Sequence, residues 1–223
     1  GTISGGANSG GTNTVTLSKA LLGINLNATY NGTNAYTSTI KANGLVGGDT
    51  IDSVTINSQN VVDNATNFIT GVTGTPGAVG GATNLLTNYQ INSSANGTAT
   101  TGTPGTTSTN TVTLGAAPLG VVVSGTYNGT KTYIAGGAVT IDLAGLVGND
   151  IGGTASSATV NSSNVGSGNY VTGVTPTSGW LASNYVVYGG NETGSSGTPS
   201  GGVYPGTISG GANSGGTNTV TLS

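Results

Sequence analysis

The eighteen residues GTISGGANSGGTNTVTLS, from Gly1 to Ser18, return unchanged as Gly206 to Ser223. Identity without a single substitution needs copying, and it sets a period of 206 − 1 = 205 residues. A fixed period constrains a fold strongly, because each copy must bury its apolar face within itself or against a neighbour. The chain therefore reads as slightly more than one unit of a longer array.

A shorter word divides the unit. NTVTL starts at Asn13, Asn110 and Asn218, with spacings of 110 − 13 = 97 and 218 − 110 = 108 residues. Between these copies other pairs keep their order. LLGINLNATYNGT at Leu21 matches PLGVVVSGTYNGT at Pro118, LVGGD at Leu45 matches LVGND at Leu146, and INSQNV at Ile56 matches VNSSNV at Val160. LTNYQI at Leu86 then matches ASNYVV at Ala182. A duplicated module is expected, with residues 13–91 as the first copy and 110–188 as the second. Residues 1–12, 92–109 and 189–217 are Gly-, Ser- and Thr-rich and read as linkers, and 218–223 as the first strand of the next repeat.

Within each module the pattern is β. Leu22, Ile24, Leu26, Ala28 and Tyr30 alternate with Gly and polar residues, as do Val15 with Leu17 and Val54 with Ile56. A period of two places one set on a buried face and the other toward water. Thr, Val, Ile and Tyr suit a pleated surface, and NG, GG and TPG stretches between the runs are turn signals. The expected fold class is all-β, with tandem Ig-like-sized β-sandwich modules in a repeat array. A β-solenoid is the alternative architecture. Its coils repeat every 20–30 residues, which the roughly 100-residue internal period disfavours.

Composition narrows function. Three lysines, no arginine and 4% charged residues leave no basic face for phosphates, so nucleic acid is excluded as a partner. No apolar run reaches the length of a membrane span. The absence of Cys and Met removes the oxidisable side chains, which suits long exposure outside a cell.

Taken together, Tyr30-Asn31-Gly32-Thr33 with Gly47-Gly48-Asp49, Asn60-Val61 and Asn88-Tyr89 resembles the YDG/MBG-type repeats of giant bacterial surface proteins. The second copy is closer, with Tyr127-Asn128-Gly129-Thr130, Gly148-Asn149-Asp150, Asn164-Val165 and Asn184-Tyr185. Filamentous-haemagglutinin-like adhesins carry such arrays. The resemblance implies an extracellular stalk or adhesive array at the cell surface and no enzymatic activity.

The residues themselves offer little chemistry. There is no His to activate a nucleophile. Calcium is the one metal whose ligands are plentiful, with Asp49, Asp52 and Asp150 as candidates. Those aspartates otherwise read as turn caps that accept backbone N–H bonds. No other cofactor is expected. Tyr30, Tyr127, Tyr89 and Tyr185 recur at matched sites, as do Asp49 and Asp150, and are assigned structural roles. The unique Trp180 reads as a core plug, with an exposed ligand contact as the alternative.

The segment NTVTL is the expected inter-repeat strand, through Asn13, Val15 and Leu17 in one copy and Asn218, Val220 and Leu222 in the last. A strand that leaves one unit can complete a neighbour's sheet. The expected function is a structural repeat of a secreted surface filament or adhesin shaft, supporting cell–cell or surface attachment. Its partners would be neighbouring repeats or subunits of the same protein. The alternative is a module that binds glycans or cell surfaces.

Overall fold

The computed structural model describes residues 16–77, 83–84, 87–91, 110–165, 169–187 and 219–222. The expected linkers, and Asn13, Val15 and Asn218, lie outside the described residues. The fold is all-β, built as several small sheets; no α-helix occurs among the described residues, and none of their helices is long and apolar enough to cross a membrane.

The strands of the first half are β1 (Ala20–Leu21), β2 (Gly23–Thr29), β3 (Ala35–Tyr36), β4 (Ile40–Asn43), β5 (Thr50–Ile56), β6 (Ile69–Thr75), β7 (Thr83–Asn84), β8 (Tyr89–Gln90) and β9 (Thr111–Gly115). Those of the second are β10 (Ala117–Gly125), β11 (Thr132–Ile134), β12 (Thr140–Ala144), β13 (Ala155–Val160), β14 (Val171–Pro176), β15 (Tyr185–Val187) and β16 (Thr219–Leu222). Single-turn 3-10 segments at Val61–Asp63, Gly148–Asp150 and Ala182–Asn184 punctuate them.

The two halves use one pairing scheme. In the first, β2 lies between antiparallel β4 and parallel β9, while β3, β5, β6 and β7 form a second, antiparallel sheet. In the second, β10 pairs antiparallel with β12 and parallel with β16, while β11, β13 and β14 form the other sheet. The short parallel pair β1–β8, with Ala20 opposite Tyr89, matches the start of β10 against β15, with Ala117 opposite Tyr185.

The segment NTVTL therefore sits elsewhere than its expected place at the head of a module. Its middle copy, as β9, is hydrogen-bonded to β2 and closes the sheet of the half that precedes it, and β16 does the same for β10. Alternation along β9 turns Val112 and Leu114 inward, each 2% exposed. Asn64 accepts from the Leu114 N–H and donates to the Leu114 carbonyl, both at 2.8 Å, which satisfies backbone groups that β2 does not reach. Only Ala116 separates β9 from β10, so the chain passes from one half to the other without a linker.

Two apolar clusters fill the halves. The first gathers Leu22, Ile24, Leu26, Val54, Ile56, Ile69, Val112 and Leu114; the second gathers Leu119, Val121, Val123, Tyr133, Val160, Val171 and Trp180. The expected burial of Trp180 is met. Tyr133 is fully buried, yet its hydroxyl has no hydrogen-bond partner among the described residues. Removing a buried hydroxyl that bonds to nothing relieves a desolvation cost of about 1–3 kcal/mol. Tyr133→Phe is accordingly expected to raise the thermal midpoint, measured by circular dichroism, where most core substitutions lower it.

Candidate functional site at the joint between the halves

Tyr30 follows β2 and belongs by sequence to the first half, but its ring lies in the core of the second. Its N–H donates to the Gly115 carbonyl at 2.8 Å, so the end of β9 holds the backbone while the side chain crosses over. The hydroxyl donates to Asp150 Oδ2 at 2.8 Å, and Tyr185 donates to the same oxygen at 2.7 Å. The Val147 N–H in turn donates to the Tyr185 hydroxyl at 3.1 Å. The Tyr30 and Trp180 rings each meet Tyr185 edge-on, with centroids 5.4 and 5.5 Å away, a favoured geometry for aromatic pairs.

Around this centre the backbones of the halves come close. Gly32 (φ 76°) lies against Val147 and Gly148, and Gly148 (φ 54°) lies against Asn31 and Gly32. A Cβ on Gly32 would stand 2.2 Å from the Val147 carbonyl oxygen, and one on Gly148 would stand 2.4 Å from that of Asn31, so both must be glycine. Asn184 adds two bonds, accepting from the Val61 N–H at 2.9 Å and donating to the Asn60 side chain at 3.1 Å. Val61 packs against both cores. A cleft of about 310 Å³ opens beside these residues, with Tyr30, Asn60, Asp150, Trp180 and Asn184 in its wall.

Burial first, and then the bond to the Asp150 carboxylate and its charge, push the Tyr30 hydroxyl up from 10.0 to about 12. Burial is also the main cause that raises Tyr185. Above pH 10 the unfolded chain gives up these protons while the folded chain keeps them. The stability they contribute is thus complete below pH 10 and drains away as pH climbs through about 12. The thermal midpoint is expected to fall as pH rises from about 10 to about 12, and to fall less in Tyr30→Phe.

The matched residues of the first half form a simpler centre. Tyr89 donates to Asp49 Oδ2 at 2.6 Å and accepts from the Val46 N–H at 2.8 Å. Asp49 Oδ1 accepts from the Gly77 N–H at 2.9 Å. These bonds, Tyr89's foremost, hold the Asp49 carboxyl below the usual carboxylate range, and Tyr89 is raised chiefly by burial. Asp52 accepts from the Thr75 hydroxyl at 2.9 Å. Asp49 and Asp150, expected as turn caps, thus prove to be acceptors for tyrosine hydroxyls from distant elements, with a backbone N–H from outside its own turn added at Asp49. No group of three or more His, Cys, Asp or Glu converges among the described residues.

Two expectations need correction. Tyr127, matched to Tyr30, is not in a core but 50% exposed. Tyr30 is buried by the half that follows it in the chain, and nothing among the described residues covers Tyr127 in the same way. Leu17 is 87% exposed and in no strand, whereas its counterpart Leu114 is buried in β9. Val220 and Leu222 do lie in a pairing strand, β16.

The contacts across the joint are what sequence reading missed. The signal for them is that the Tyr, Asp and Tyr of TYNGT, LVG-x-D and NY all recur together. Comparison with protein-family models, with curated proteins and with solved structures finds no match to this chain.

Proposed function

We propose that this chain is a structural repeat unit of a secreted bacterial surface filament or adhesin shaft, extending from the cell and supporting attachment. In this reading each 206 − 1 = 205-residue period holds two Ig-like-sized β-sandwich modules in an array, and neighbouring repeats are the principal partners. The observation that carries it is the repeated NTVTL segment. The segment ends one half as its last strand and, at its middle copy, runs directly into the next, so covalent continuity and sheet pairing act at the same seam. The copy at residues 13–17 would complete a preceding unit, since its Leu17 is presented to solvent as a bare apolar side chain. Strand completion between units follows from that. The resemblance to YDG/MBG-type repeats supports the extracellular setting.

The test is to separate a shaft from a receptor. The purified 223-residue chain, applied to a glycan array and to cell-surface extracts on a biosensor, is expected to give no saturable binding. Saturable, sugar-competed binding would replace this reading with that of an adhesive module.

A further inference from the structure

The two surfaces that meet at the internal joint each have a second copy in the chain, and both second copies face solvent. The Asn31 and Asn128 turns are built alike. Each side-chain oxygen accepts from the N–H of the threonine two residues on, at 2.9 Å in both, and each amide donates to a carbonyl four residues on, Ala35 at 2.9 Å and Thr132 at 3.0 Å. Tyr127 thus precedes the same turn as Tyr30 does, but is 50% exposed. Val165, the counterpart of Val61, is 55% exposed. Gly129, the counterpart of Gly32, keeps the same conformation (φ 75°), and a Cβ there would meet only the Tyr127 hydroxyl at 4.0 Å, where Gly32 meets Val147.

Among the described residues, little covers the receiving surface of the first half. Val46 is 59% exposed where its counterpart Val147 is partly covered. Gly47 (φ 65°) matches Gly148, and a Cβ on it would meet nothing within 4 Å, although the backbone of Gly77 lies close to the Gly47 carbonyl. Asn88, the counterpart of Asn184, is exposed. A hollow of about 360 Å³ lies over Asp49 and Tyr89, walled by Leu17, Val46 and Asn88. In the internal joint Tyr30 bonds to Asp150 and packs edge-on against Tyr185, the counterparts of Asp49 and Tyr89. Four of the large apolar side chains left exposed, Leu17, Val46, Tyr127 and Val165, thus fall on these two surfaces. Isolated exposed apolar residues are ordinary, but a matched pair of patches whose counterparts already fit together is the signature of an interface.

We propose that a second copy of this unit docks head to tail, with Tyr127 of one copy entering the Asp49–Tyr89 hollow of the next and rebuilding the Tyr30–Asp150–Tyr185 joint. The inference rests on the repeat-array reading and names the contact by which that array would hold its direction. Such a contact is heterologous, and it propagates as a filament where the rotation does not close a ring. The outer joint is weaker than the inner one, because the position matched to Trp180 is Asn84 and one aromatic wall is missing.

The test uses a two-unit polypeptide in which residues 19–223 are repeated after Ser223, keeping the period, beside the single 223-residue chain. Tetranitromethane nitrates exposed tyrosines, and peptide mass spectrometry reads the site. Tyr127 of the first unit is expected to react about tenfold more slowly in the two-unit polypeptide than in the single chain. The two-unit polypeptide is also expected to melt higher than the single chain. Tyr127→Ala in its first unit should abolish that increment, while the same substitution in the single chain leaves the midpoint where it was. Equal nitration in the two polypeptides, or an increment indifferent to Tyr127→Ala, overturns the joint. Either of those results leaves the shaft reading to the glycan-array test, which in turn does not bear on the joint.

Discussion

Leu114→Ala is expected to destabilise the chain by about 3 kcal/mol, and Leu17→Ala by less than about 0.5 kcal/mol. The two leucines occupy the same place in the same five-residue word. Leu114 is 2% exposed and belongs to the first core with Ile24 and Leu26, while Leu17 is 87% exposed. Truncating the buried side chain loses its transfer free energy and leaves a cavity; truncating the exposed one loses neither. Urea unfolding of the two variants measures the difference. Equal costs would mean that β9 does not hold its place against β2. Because β9 is joined to β10 through Ala116 alone, loosening it also frees the second half to move against the first.

Asp150→Ala carries the second large effect, a loss of about 3 kcal/mol or more. The carboxylate is buried and accepts both tyrosine hydroxyls through one oxygen. Bonds to a charged acceptor contribute about 1.5–3 kcal/mol each, and the two hydroxyls would lose the acceptor they share. Asp49→Ala is expected to cost less, since only one hydroxyl and one backbone N–H depend on it at a solvated site. The pair separates a fastening of the joint from a general need for the turn. A double-mutant cycle of Tyr30→Phe with Asp150→Ala should show coupling of about 1 kcal/mol or more, because the residues share a bond.

Much of the local structure is legible in the sequence. The alternation of Leu22, Ile24 and Leu26 marks an inward face, and all three are fully buried. The recurrence of Tyr and Asp at matched sites marks structural residues, and Tyr30, Tyr89, Tyr185 and Asp150 are buried and bonded. What local pattern cannot carry is the choice of neighbour. The alternation in TVTL says that Val and Leu face inward, but not toward which half. Asn25 pairs with Thr111, and a parallel partner so distant in sequence is selected by the whole core. For the same reason identical words acquire different environments, as Leu17 and Leu114 do, and as Tyr30 and Tyr127 do. Repetition fixes the conformation of a segment, while its burial depends on what stands next to it. The aspartates illustrate the same limit. Their preference for a turn is visible in LVG-x-D, but the hydroxyl that reaches Asp150 from Tyr30 comes from 120 residues away.

In the proposed shaft, successive units form one stiff thread in which sheet completion and the tyrosine joint fix each piece against the last. Negative-stain electron microscopy of polypeptides of one, two, four and eight periods measures that stiffness. Rods whose length grows by a constant increment per period are expected. Lengths that grow as the square root of the number of periods, or particles that stay round, would contradict the stiff thread.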